Sequence, residues 1–405
     1  MKAIPQAAPR ALDRVPLTIA GLLALAVGMG IGRFAFTPIL PIMQADAGLS
    51  LTQGGWLASA NYLGYLVGAL TITRLNWPSA RLLRWGLWLV VVTTALMGFG
   101  ANWSAWLLWR FLAGMASAWV MVSTASLCIA RLAVDGQSRK SGIVFSGVGC
   151  GIAFAGLACM ALAVLKQSSA HMWLWMGAAS LLGLIGASTL WRTAAPAPAT
   201  ATRKPPSAGP VRAAPAPVGS GRLHWGLILC YGFFGFGYIL PATFLPAQAR
   251  LLIPDPLIFG LTWPVFGFAA AVSTLITGRL GQTFSQMQIW IGGEIVMAAG
   301  VFLPVVWNGL PALIIAAICV GGTILSITAA GLQEAQIVVG PAAAQKQMAA
   351  MTASFALGQL VGPLLFSSLN TLFGASLDFA LVLGAALLVL GLWPLLRLQK
   401  KLDGA

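Results

Sequence analysis

Charge is what this chain most lacks. Charged residues fill 8% of its 405 positions and hydrophobic ones 59%. A water-soluble protein is roughly 25% charged and 45–50% apolar. So few charges cannot form the polar skin that a soluble core of this size needs. A soluble enzyme, a disordered chain and a disulfide scaffold are excluded, which leaves an integral membrane protein. Histidine and cysteine are scarce as well, at two and five. His171 and His224 fall on opposite sides of the expected membrane and cannot share a metal. Cys128, Cys150, Cys159, Cys230 and Cys319 all lie in apolar stretches without a CxxC pair, so neither zinc nor disulfides are indicated. No Ser-His-acid set and no pair of buried carboxylates is evident. The glycine motifs follow no strand, so none is a phosphate loop. The residues therefore indicate no catalysis and no cofactor, and any pumping must draw on an ion gradient. The net charge of +15 is not a nucleic-acid signal. The basic residues sit in short loops between apolar runs, where membrane orientation places them.

What the chain does have is twelve apolar stretches, each near the ~20 residues a helix needs to cross hydrocarbon. They fall near 17–43, 54–73, 82–101, 104–131, 141–165 and 170–191, then near 225–247, 257–279, 287–307, 310–335, 344–372 and 376–397. Long runs without alternation are helices rather than barrel strands. With the N-terminus inside, nineteen Lys and Arg fall in inner loops and two, Lys166 and Arg250, in outer ones. That asymmetry puts both termini in the cytoplasm. The first apolar run, from Leu17, is too long for a cleaved signal and carries Arg33. Residues 192–224, rich in Pro, Ala and Arg, read as a cytoplasmic linker. It separates a six-helix lobe at 1–191 from another at 225–405.

The two halves repeat. Gly30-x-Gly32-Arg33-Phe34 with Thr37-Pro38 and Pro41 in span one aligns with Gly235-x-Gly237-Tyr238 with Thr243 and Pro246 in span seven, at an offset of 205. Arg33 falls on Tyr238. Span eleven carries Gly358-Gln359-x-x-Gly362-Pro363, and span five carries Gly147, Gly149 and Gly151. These are small-residue faces for close helix packing. A parallel repeat of six spans marks a two-lobed transporter with a site between the lobes.

On these motifs the whole chain resembles the major facilitator superfamily, and within it the YbfB/YjiJ-type members. The acidic residue of the superfamily's loop signature after span two is absent. Gly68 and Arg74 fit that signature, but Thr71, Ile72 and Thr73 stand between them. The resemblance implies an all-α fold of twelve transmembrane helices in two six-helix lobes. It also implies placement in a bacterial inner membrane, a small-molecule substrate and coupling to protons. It puts spans one and four around the cavity of the first lobe, and span nine at the periphery.

Arg33 and Arg110 are the two basic residues inside spans. At 1.5 Å per residue, Arg33 lies ~5 Å from the midplane, well inside a hydrocarbon half-thickness of ~15 Å. Thr37 and Pro41 follow at i+4 and i+8, as a continuous polar face. Arg110 is ~10 Å deep in span four, with Gly114, Ser117 and Met121 continuing its stripe. The first six spans hold no buried acid, and Asp13, Asp46 and Asp135 lie in loops. An unpaired buried charge is costly, so a small organic anion would complete the two guanidinium groups. The alternative is a scaffold role, most readily for Arg110, bonded to helix carbonyls or Asn61. Asn61, Tyr65, Tyr231, Tyr238 and Gln359 are candidate lining residues, and Trp263 and Phe266 candidates to stack a ligand. Two acids are gate or coupling candidates. Glu334 lies ~36 Å along span ten from Leu310, at the inner interface. It reads as a gate pairing with a loop arginine, or as a proton carrier. Glu294 in span nine reads as a structural acid near Arg279, or as a coupling residue. The expected function is alternating-access transport of an organic anion. Export of hydrophobic or cationic compounds, and a non-transporting membrane sensor, are the rivals.

Overall fold

Every apolar stretch folds as a helix, because hydrocarbon forces the backbone to satisfy its own hydrogen bonds. The computed structural model describes residues 15–75, 77–100, 102–137, 140–192, 223–252, 260–307, 309–339 and 341–403. Among the described residues twelve helices form, beginning with α1 (Leu17–Asp46, broken in its middle), α2 (Leu51–Leu75), α3 (Ser79–Leu96), α4 (Trp103–Val134), α5 (Ser141–Val164) and α6 (Ser169–Arg192). After them come α7 (Trp225–Leu252), α8 (Thr262–Leu280), α9 (Gln286–Val306), α10 (Leu310–Val339), α11 (Pro341–Phe373) and α12 (Leu377–Asp403). Lys2, Arg10, Arg14, Arg139 and almost all of the expected linker, with Arg203, Lys204, Arg212 and Arg222, lie outside the described residues, as does the side chain of Arg74.

Ten of the helices are long and apolar enough to cross a membrane by length and composition. The other two, α2 and α8, both pack across the molecule. Within the first six helices α2 and α3 pack on α4, α1 packs on α5 and α6, and α3 packs on α6. The last six repeat this pattern with each index raised by six. Between the halves α2 meets α11, α5 meets α8, and α1 meets α7. These contacts map onto themselves under exchange of the halves, so the sequence repeat is also a spatial two-fold.

Local bonds hold the helix ends. Asp46, closing α1, accepts from the backbone N–H and the hydroxyl of Ser169 (2.6 and 2.8 Å), placing an anion at the start of α6. Ahead of α7, His224 Nδ1 accepts from the backbone N–H of Leu227 (3.3 Å), and the His224 main chain bonds the Gln347 side chain on α11 (2.9 and 3.1 Å). Burial, reinforced by Lys401 and opposed by a backbone hydrogen bond, pushes the His224 imidazole below its ordinary range. Its neutral form is therefore the folded one, since Nδ1 must stay unprotonated to accept. The unfolded imidazole, near ~6.5, takes up a proton first. The stabilisation is then present above that value and lost as pH falls through the lower folded one. Thermal melts should show stability declining as pH falls below about 7, and His224→Gln should flatten that slope.

Candidate functional site

The site begins where α1 breaks. Gly28, Gly30 and Gly32 favour no helical backbone strongly, and Pro38 has no N–H. Residues Ala26–Ile31 wind as a π-helix, with the Gly32 N–H bonded to Val27 and that of Phe34 to Met29. A looser turn follows to Phe36. Broken helices are tolerated in membranes only where something else satisfies the released backbone. Here α4 does so. Ser117 Oγ donates to Gly28 O (2.6 Å), Arg110 Nη1 to Gly32 O (3.4 Å) and Arg110 Nη2 to Arg33 O (3.2 Å). The Arg33 carbonyl has no helical taker, because the Thr37 N–H bonds Phe34 and residue 38 is proline.

Arg110 thus points its charge at the carbonyls of the broken helix, and its guanidinium lies 4.7 Å from the centre of the Phe36 ring. Gly114 packs on the Asn61 backbone. Asn61 Nδ2 donates to Arg110 O (2.9 Å) while its Oδ1 has no partner. The expected stripe Arg110–Gly114–Ser117 therefore binds α4 to α1 and α2. Likewise the polar face of span one is not the continuous helical one expected, because the helix is interrupted at Arg33.

Arg33 has different surroundings. It is 3% exposed, and its guanidinium sits over the rings of Tyr65 (4.2 Å), Tyr62 (5.1 Å) and Phe34 (5.4 Å). Its Nη2 donates to Gln359 Oε1 on α11, and Gln359 Nε2 donates to the Tyr238 hydroxyl on α7. Its Nε has no partner. Among the described residues no carboxylate bonds either buried arginine. The two-fold is visible here. Arg33 and Tyr238 are repeat partners joined through one amide, and Thr37 Oγ1 donates to the carbonyl of its own repeat partner, Ala242 (2.9 Å). Tyr62 and Thr243 share a bond (3.0 Å), Ser59 reaches Leu360 O (3.4 Å), and Thr52 reaches Asn370 (3.1 Å). This seam closes the centre toward the face holding the α1–α2 turn.

Aromatic rings wall the centre. Tyr238 stacks on Phe355 (5.5 Å), which also meets Phe234 and Tyr231. On the other side Phe34 faces Trp263 (6.3 Å), which stacks on Phe266 (4.8 Å). Trp263 Nε1 is buried without a partner.

A family model described as "Uncharacterised MFS-type transporter YbfB" matches residues 25–395. The chain belongs to the YbfB-type family of MFS transporters. It is 35% identical to the "Uncharacterized MFS-type transporter YceJ" of Bacillus subtilis (strain 168) over 96 residues. That match spans 23% of this chain and 24% of the relative. Its fold is similar to that of the nucleoside transporter NupG, solved as a point mutant, with a TM-score of 0.69 and 12% identity, covering 94% of this chain and 99% of that one.

In this YbfB-type chain the sequence candidates separate into groups. Arg33, Tyr65, Tyr238 and Gln359 come together, and Thr37 lies beside them on the seam. Arg110 and Asn61 sit behind the broken helix. Tyr231 donates to Thr328 O (3.1 Å) inside the second half. The two acids have neighbours other than the expected arginines. Glu334 accepts from the backbone N–H of Met287 at the start of α9, and no loop arginine bonds it among the described residues. Anchoring a helix N-terminus accounts for its depth. Glu294 is fully buried and does not meet Arg279. Its carboxylate abuts Gly391 of α12, and the indole of Trp290 is nearby without the alignment of a hydrogen bond. Tyr62 is the residue that sequence reasoning missed. It shares a helix face with Tyr65 at i+3, and that spacing was the available signal. A narrow apolar crevice between α7, α11 and α12, lined by Phe236, Leu240 and Phe366, lies apart from Arg33 and reads as a packing gap.

Proposed function

We propose that the protein is a secondary transporter that moves a small organic anion across the bacterial inner membrane by alternating access. The lobes are residues 1–191 and 225–405, joined by a linker at 192–224. Positive-inside asymmetry supports cytoplasmic termini. The observation that carries the substrate class is Arg33: a buried guanidinium at the meeting point of both halves, with an amide oxygen where a counter-ion would sit. A buried cation without an acid is retained at a cost, and an anion crossing at the two-fold would supply the missing charge. Tyr65, Tyr62, Tyr238 and Gln359 shape the site, and Thr37 closes its outer edge. Arg110 supports the site by holding the broken helix. Proton coupling belongs to this reading through the family resemblance.

Thermal stabilisation of the purified protein tests it. Carboxylates, phosphate esters, neutral sugars, a nucleoside and lipophilic cations would be screened, and hits followed by uptake into proteoliposomes. A ligand at a hundred times its dissociation constant adds about 2.7 kcal/mol. Stabilisation and uptake confined to anions are expected. Stabilisation by cations or apolar compounds alone would replace this reading with the exporter one. Binding without flux would indicate a sensor.

A further inference from the structure

Arg33, Gln359 and Tyr238 are 3%, 1% and 1% exposed, so the centre holds no room beside them. A ligand can reach the guanidinium only by moving something. Arg33 is fixed through its own backbone, whose carbonyl Arg110 holds. Tyr238 is fixed by stacking on Phe355 and by a tilted contact with Phe234. Gln359 alone contributes a flexible, unstacked side chain, and it bonds both of the others.

We infer that the Gln359 amide occupies the carboxylate subsite of the transporter and is displaced by substrate, a monocarboxylate on a flat apolar body. This rests on the anion reading above. The argument is isosteric. An amide and a carboxylate share a planar three-atom head. In the amide, the oxygen accepts from Arg33 and the nitrogen donates to the Tyr238 oxygen. In a carboxylate, one oxygen accepts from Arg33 and the other accepts from the Tyr238 O–H, because a phenolic hydroxyl can rotate and either donate or accept. Both bonds are kept, and a charge is added beside an uncompensated guanidinium. The unpartnered Arg33 Nε is a further donor for that head. A phosphate ester fits worse. Its tetrahedral head carries a third oxygen and more charge, against walls made of Phe34, Tyr65, Phe355 and Trp263. Those flat rings suit an aromatic or unsaturated body. Gln359 then acts as an internal competitor. It keeps the two halves bridged when the site is empty and scales apparent affinity down to the fraction of time it leaves the site free.

The test uses the full chain in detergent, with benzoate and phenyl phosphate as probes, read by thermal shift and equilibrium binding. Gln359→Ala should bind benzoate about tenfold more tightly than wild type, as expected when a competitor held in place about nine-tenths of the time is removed. Gln359→Glu keeps the shape and supplies a tethered carboxylate. It should melt higher than wild type without ligand and lose the benzoate response. If benzoate binding depends on Arg33 but Gln359→Ala leaves it unchanged or weaker, the displacement idea fails and the anion reading survives. If Gln359→Ala prefers phenyl phosphate, the carboxylate class is wrong. If neither protein responds to either probe, the anion reading itself falls. Should Gln359→Ala not fold, Gln359→Glu still decides: a benzoate response equal to wild type overturns the inference.

Discussion

Arg33→Gln is expected to abolish anion-dependent stabilisation and uptake, with a loss of at least about thirtyfold in affinity. Truncating one partner of a buried, hydrogen-bonded charge pair costs about 2–5 kcal/mol, and each ~1.4 kcal/mol is tenfold. Arg33→Lys should fall between, because an ammonium lacks the planar fork and stacks less well on Tyr65 and Tyr62. The unliganded protein separates a site from a scaffold. Arg33 is a buried cation that bonds a neutral amide and, among the described residues, no carboxylate, so removing its charge should leave the melting temperature unchanged or higher. Arg110→Gln should do the opposite. It strands the carbonyls of Gly32 and Arg33 at the helix break and should cost about 1–3 kcal/mol. Melting curves for the two variants, with and without an anion identified by screening, check both halves of the statement. A lower melting temperature for Arg33→Gln, with anion response retained, would make Arg33 a scaffold residue.

The helices were legible almost to their ends, because twenty apolar residues have few alternatives in a bilayer. The stretch read at 141–165 is α5 at Ser141–Val164, and that read at 310–335 runs on to Val339. The approach of Arg33 to Tyr238 was legible too, through the offset of 205 and the two-fold it implied. Three things were not. The break in α1 was hidden, because periodicity assumes a helix that continues, while released carbonyls depend on what α4 offers. The role of Arg110 is open in the sequence for the same reason: a guanidinium looks alike whether it faces an anion or a carbonyl. The bond of Glu334 to the Met287 N–H was not legible, because a helix N-terminus is a partner that no residue type announces.

A wedge between α5 and α8 is the other large effect. Gly149 and Gly267 lie where these helices touch backbone to backbone. A Cβ on Gly149 would overlap the Ala271 nitrogen and the Gly267 carbonyl, and one on Gly267 would overlap Ala153 and the Gly149 carbonyl. No flexible side chain stands in the way that could move aside. Each glycine belongs to a different half, so the wedge acts between two bodies that can still fold. Overpacking costs about 1–3 kcal/mol, and at the upper end this depopulates the arrangement described here about a hundredfold. A transporter that must pass through this arrangement in each cycle slows in proportion. Gly149→Val is therefore expected to reduce uptake below about a tenth of wild type while the protein stays monodisperse and folded. Gly292→Val is the control. It is a helical glycine on α9, where an added Cβ meets nothing within 4 Å, so it should transport normally. Equal transport by Gly149→Val and Gly292→Val would mean that the α5–α8 contact is not part of the cycle. If only Gly149→Val is slow, with anion affinity at Arg33 kept, closing the seam and filling the site are separate steps, and the lobes turn about this contact.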